Sequence, residues 1–126
     1  MNRNVIVTGP QGSGKTIKAR ELAASIGNYV EIDADDVLGK FGPAQLLSGP
    51  NAVIVDEVRR DQWPALSARL KGWICAREIT VNVKNRPAVR IPTPNFIVVS
   101  NDLSDDVVLE SERRFAVIKC GARKSA

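Results

Sequence analysis

The stretch Gly9-Pro10-Gln11-Gly12-Ser13-Gly14-Lys15-Thr16 constrains this chain more than any other. It is a complete G-x-x-x-x-G-K-[ST] phosphate loop, the Walker A pattern. Apolar Val5-Ile6-Val7 stands just before it and suits a buried strand. Residues 17–26 follow, with Ile17, Leu22 and Ile26 near helical spacing. Strand, glycine loop and helix together form the context in which such a loop binds phosphate. Glycines let consecutive backbone N–H groups close around a polyphosphate, and the helix start adds free donors and the positive end of its dipole. Lys15 then neutralises the terminal phosphates and the Thr16 hydroxyl is a magnesium ligand. The expected cofactors are ATP and Mg2+, with residues 9–16 as the binding element.

A chain of 126 residues makes one domain, expected over 1–120 with a flexible basic tail at 121–126. At 44% apolar and 25% charged it can bury a core. It shows no apolar run long enough to span a bilayer and no signal-peptide pattern, so a cytoplasmic setting is expected. Cys75 and Cys120 read as buried free thiols of a reducing compartment. With no histidine and only two cysteines, the composition argues against structural zinc. The net charge of +4 and pI of about 9.4 hint at a polyanionic partner.

Further strands are expected at 29–32, 52–55, 96–99 and 115–118, with a helix over 63–76 capped by Asp61. Helical turns are expected within 37–48. The helix carries Leu66, Leu70 and Trp73 on an apolar face; Trp63 and Trp73 read as packing residues. Apolar runs alternating with helices predict a three-layer α/β fold with a mostly parallel five-stranded sheet. Residues 79–83 and 88–91 flank Lys84-Asn85-Arg86-Pro87, which predicts a β-hairpin over about 78–92.

Beyond the glycine loop, Val53-Ile54-Val55 runs into Asp56-Glu57, an acidic pair at the carboxyl end of a buried strand. In the Walker B arrangement Asp56 holds magnesium and Glu57 orients and deprotonates the attacking water. The bland alternative is a strand that ends in two surface acids. Asn101 closes the 96–99 strand, where it can bond the γ-phosphate or the attacking water; otherwise it makes a turn. Arg113 and Arg114 offer a permanently charged donor fork, or else a surface ion pair. The hairpin carries Lys84, Arg86 and Arg90, which suit a phosphodiester backbone gripped without reading bases. Its bland alternative is an edge ribbon that uses cations to block aggregation.

In order along the chain, GPQGSGKT, AVIVDE, ITVNVKNRPAVRIPTPNFIVVSN and ERRFAVI resemble the superfamily 3 helicase domain, a compact AAA+ type of DNA-virus, phage and plasmid replication proteins. The resemblance runs from about Val5 to Lys119. It implies a hexameric ATPase that moves on single-stranded DNA, with a nucleotide site shared between subunits and possible separate replication partners. By the same resemblance Lys84 is the hairpin-tip DNA contact, Asn101 is sensor 1, and Arg113 or Arg114 is the arginine finger. It also implies the AAA+ sheet order with the phosphate-loop strand central. Two other readings compete. A small-molecule kinase would hold its acceptor at Asp33, Asp35 or Asp36, which otherwise cap a helix. A nucleotide-dependent interaction module would bind ATP and turn it over slowly or never.

Overall fold

In the computed structural model, which describes residues 4–39, 44–101, 103, 107 and 114–121, five apolar runs pair into one parallel sheet. They are β1 (Val5–Thr8), β2 (Tyr29–Asp33), β3 (Ala52–Asp56), β6 (Asn95–Ser100) and β7 (Ala116–Lys119). The remaining two, β4 (Glu78–Val81) and β5 (Val89–Pro92), form an antiparallel ribbon of their own. The order across the main sheet is β2-β3-β6-β1-β7. The glycine-loop strand β1 therefore sits one place off centre, between β6 and β7, where the resemblance implied the middle. The central position belongs to β6, the longest strand, buried from Phe96 to Ser100.

Alternation along the strands divides the core between the two faces of the sheet. Val5, Val7, Ile54, Ile97 and Val99 point to one face, where they meet Ala19 and Ala23 of α1 (Lys15–Ile26). Ile6, Val53, Val55, Phe96 and Val98 point to the other. There they meet Leu66 and Leu70 of α3 (Trp63–Ile74), Val37 of α2 (Ala34–Leu38), and Ile79, Val81 and Ile91 of the ribbon. The three expected layers are present. A 3-10 helix spans Ala44–Ser48, in the segment where helical turns are expected.

Local details depart from the expected pattern. Ile17 is 65% exposed, so the buried stripe of α1 runs through Ala19 and Ala23, one turn apart. Small side chains there let the helix backbone approach the sheet closely. Arg20 ties α1 to β2 by hydrogen bonds of 3.1–3.2 Å from Nε and Nη2 to Glu31. Those bonds, and then the charge of Glu31, raise the Arg20 pKa above its usual value. Asp61 does not cap α3. It belongs to a 3-10 turn, Arg60–Gln62, and Gln62 takes the N-cap position, while the helix stops at Ile74.

Both tryptophans pack: Trp63 lies 6.1 Å from Phe115, and Trp73 stacks on Phe96 at 5.6 Å. Both cysteines are free, but Cys75 is exposed just past the end of α3 and Cys120 is half-buried, so the expectation of buried thiols fails.

Candidate functional site

Five parallel strands bring their carboxyl ends to one edge of the sheet, which is where open α/β sheets form their crevice. The register sets Thr8 beside Ser100 and Asp33 beside Asp56. The glycine loop leaves β1 at this edge. Gly9 must lack a side chain, because a Cβ there would strike the backbone carbonyl of Cys120. The two segments are already joined by the Cys120 N–H donating to Thr8 O at 2.7 Å. Gly14 takes the left-handed conformation (φ 82) at the N-cap of α1, so the chain turns sharply into the helix.

Within the loop, Ser13 N donates to Pro10 O at 3.2 Å, and Lys15 Nζ donates to the same carbonyl at 2.9 Å. Ser13 Oγ is buried with no hydrogen-bond partner among the described residues. A buried hydroxyl left unsatisfied is uncommon and marks a place for an acceptor from outside the chain.

Gln11, Lys15 and Thr16 of the loop line a cavity of about 340 Å³ together with Asp56, Glu57, Arg59, Val99, Ser100 and Asn101. Three separate sequence motifs thus converge in space. No group of three His, Cys, Asp or Glu side chains among the described residues is placed to hold a metal. The donors present, one hydroxyl and one or two carboxylates, fit magnesium, which keeps waters and takes phosphate oxygens as further ligands.

Glu57 has φ 56, a left-handed conformation that costs a non-glycine residue roughly 1 kcal/mol or more. Bonds on both sides hold it there. Its own N–H donates to Asp56 Oδ1 at 2.9 Å, and Val58 N–H donates to Val99 O at 3.1 Å. Ser100, only 2% exposed, donates from Oγ to Val58 O. The acidic turn after β3 is therefore latched to the end of β6, next to Asn101. Sequence reasoning missed Ser100, although a small hydroxyl at the end of an otherwise apolar buried strand was a signal. It also missed Arg59, which no motif marks.

Other expected site residues lie elsewhere. Arg114 lines a second cavity, of about 410 Å³, between α3 and the approach to β7, with Trp63, Ser67, Lys71 and Phe115. It is not among the residues that line the glycine-loop cavity of its own chain. Arg113 lies outside the described residues. Asp33 occupies the N-cap position of α2, and Asp35 and Asp36 fall in its first turn. None of these three acids lines the glycine-loop cavity. Lys84, Arg86 and Arg90 are exposed on the ribbon, with Asn85 at φ 65 in its turn, and Arg90 pairs with Glu78 at 3.5 Å.

Residues 7–114 match the sequence profile of DUF5906, a family of unknown function. The chain belongs to that family. No curated protein matches it. Among solved structures, the apo C-terminal region of NrS-1 aligns with a TM-score of 0.67 at 29% identity, over 94% of this chain and 30% of that one. The A form of the same region aligns with a TM-score of 0.65 over 95% and 29%. The JCV helicase aligns with a TM-score of 0.52 at 19% identity, over 97% of this chain and 36% of that one. At that identity the likeness is one of fold. The fold is thus one that a helicase domain uses, and this chain spans only about a third of the length of each matched chain. No helix among the described residues is long and apolar enough to cross a membrane.

Proposed function

We propose that this chain binds MgATP at the glycine-loop cavity and hydrolyses it, as a superfamily 3 helicase-like AAA+ motor acting on single-stranded DNA. The observation that carries the reading is the convergence of Lys15, Thr16, Asp56, Glu57 and Asn101 on one cavity. The partnerless Ser13 hydroxyl adds an unsatisfied donor inside the loop itself.

Backbone N–H groups of the loop and the Lys15 ammonium bind the phosphates. Thr16 and Asp56 would hold magnesium, which would supply neutralisation of the phosphate charge. Glu57 orients the attacking water and takes its proton, and Asn101 bonds the γ-phosphate or that water. Arg114 or Arg113 reaches the site of a neighbouring copy, where such a group is worth roughly 1,000- to 100,000-fold in turnover. The exposed cations of the ribbon, Lys84 at their head, grip the DNA backbone. Separate replication proteins are possible further partners.

A kinase reading has no support from the cavity, since Asp33, Asp35 and Asp36 lie outside its lining. The test is ATP turnover by the purified chain, across protein concentrations, with and without a short single-stranded oligonucleotide. Turnover per chain should climb with concentration and with DNA and vanish in Glu57→Gln. Turnover that needs a small acceptor in place of water would favour the kinase. Tight ATP binding with background turnover under all conditions would favour an interaction module.

A further inference from the structure

Two cations line the glycine-loop cavity, and the motifs assign only one of them. Lys15 belongs to the loop. Arg59 follows the acidic pair Asp56-Glu57 and lines the same cavity from the β3 side. Its backbone and its head group are held in different ways. The Arg59 N–H donates to Gln62 Oε1 at 2.9 Å, and Gln62, only 6% exposed, donates from Nε2 to Asp35 Oδ1 at 2.6 Å. That chain of bonds fixes where the residue starts.

The guanidinium, by contrast, rests on exposed acids. Nε lies 3.3 Å from Asp61 Oδ1 and Nη2 lies 3.9 Å from Asp35 Oδ1, with the Arg59 side chain 58% exposed and each acid 74% exposed. Ion pairs this open to water contribute little and are readily exchanged. The Asp35 oxygen that Arg59 approaches is also already engaged by Gln62. A pinned backbone that carries a loosely held planar cation is suited to a change of partner.

The electrostatics call for such a change. Among the cavity's charged side chains, Lys15 and Arg59 balance Asp56 and Glu57. Asp56 is taken up by magnesium in the MgATP reading, which leaves Lys15 and Arg59 as the side-chain cations free to meet the phosphates. The glycine loop takes the inner phosphates and Lys15 the β and γ groups. A terminal phosphate beyond Lys15 would lie toward the strand ends that carry Asp56, Ser100 and Asn101, in the cavity that Arg59 also lines. A diphosphate leaves that position unfilled.

We propose that Arg59 is a terminal-phosphate contact supplied in cis: a guanidinium resting on Asp61 and Asp35 that transfers to the γ-phosphate and so favours triphosphate over diphosphate. The inference rests on the MgATP reading of this cavity and adds a ligand-discriminating residue to it. A guanidinium makes charge-assisted, often bidentate bonds to phosphate oxygens, which an exposed carboxylate pair cannot match.

The test compares binding of a non-hydrolysable MgATP analogue and of MgADP by titration calorimetry, on the full chain and on Arg59→Ala, Arg59→Lys and Asp61→Asn. Arg59→Ala should weaken the triphosphate analogue by about 10- to 100-fold, the scale of a hydrogen bond to a charged group, and MgADP by no more than about twofold. Arg59→Lys should recover part of the loss. Asp61→Asn, which removes a resting partner without touching the cavity, should leave analogue binding equal or tighter.

Equal losses for both nucleotides in Arg59→Ala, or no loss for either, would overturn the inference while leaving the MgATP reading intact. So would Asp61→Asn weakening the analogue as much as Arg59→Ala does, because the network would then matter only as structure. Failure of the unmodified chain to bind either nucleotide would overturn the MgATP reading, and this inference with it.

Discussion

The glycine-loop edge of the main sheet and the tip of the β4–β5 ribbon are both polar, but they are built on opposite principles. At the sheet edge nearly every group is constrained. Gly9 lies against the Cys120 carbonyl, Glu57 is held left-handed, and Ser100 locks the turn that follows it. The ribbon is anchored along one face, where Ile79, Val81 and Ile91 enter the core and Val83 packs against it. Beyond that, Lys84 and Arg86 stand exposed around a turn. A rigid edge suits chemistry that needs fixed distances. An exposed basic arm suits a partner held by charge and released again. The difference teaches where substitution should abolish function and where it should only tune it.

The largest effect is expected at the rigid edge. Lys15→Ala should lower ATP turnover on the order of 100- to 1,000-fold, as loss of a preorganised phosphate donor does elsewhere, while circular dichroism stays unchanged. A smaller but still clear effect is expected at the latch. Ser100→Ala leaves the Val58 carbonyl without that donor and should cost about 1–3 kcal/mol in denaturant unfolding, with turnover reduced as Glu57 loosens. Ser100→Thr should restore much of both. A latch that only stabilised the fold would show the stability loss with turnover per folded chain intact.

At the ribbon, Lys84→Ala should weaken binding of single-stranded DNA at every sequence and flatten its salt dependence by about one unit of slope. Its effect on turnover without DNA should be the lesser of the two, and equal losses would break the division of labour between the two regions. The smallest effect is expected at the exposed ion pair within the ribbon. Arg90→Ala removes an exposed pair with Glu78 and should shift stability by at most about 1 kcal/mol by thermal melting.

What was legible in the sequence follows from how local each signal is. The glycine loop needs only eight consecutive residues, so strand, loop and helix could be read directly, as could the buried strands that alternate between the two faces. Asp56, Glu57 and Asn101 were readable as ends of apolar runs, and the parallel sheet brings them together. Ile17 misled because helical spacing alone does not say which stripe faces the sheet. Small Ala19 and Ala23 take that stripe since they permit closer packing.

The position of β1 beside the centre, rather than at it, depends on pairing between distant segments. No local pattern encodes that. Ser100 carried a signal in its hydroxyl, but its partner, the Val58 carbonyl 42 residues away, meets it only in the folded chain. Arg59 lies in no motif, and only the fold brings it to the cavity. Arg114 could be read as an arginine but not as one that lines a cavity with Trp63 and Phe115.

The central claim is a nucleotide held at a seam between copies of this chain, and its most direct test is the mass of the particle in solution. Sedimentation would be run with and without a non-hydrolysable MgATP analogue and a short single-stranded oligonucleotide. The account predicts a shift from single chains to a defined ring-sized assembly when both are present, and its loss in Lys15→Ala. A mass that stays monomeric at saturating nucleotide and DNA would contradict it.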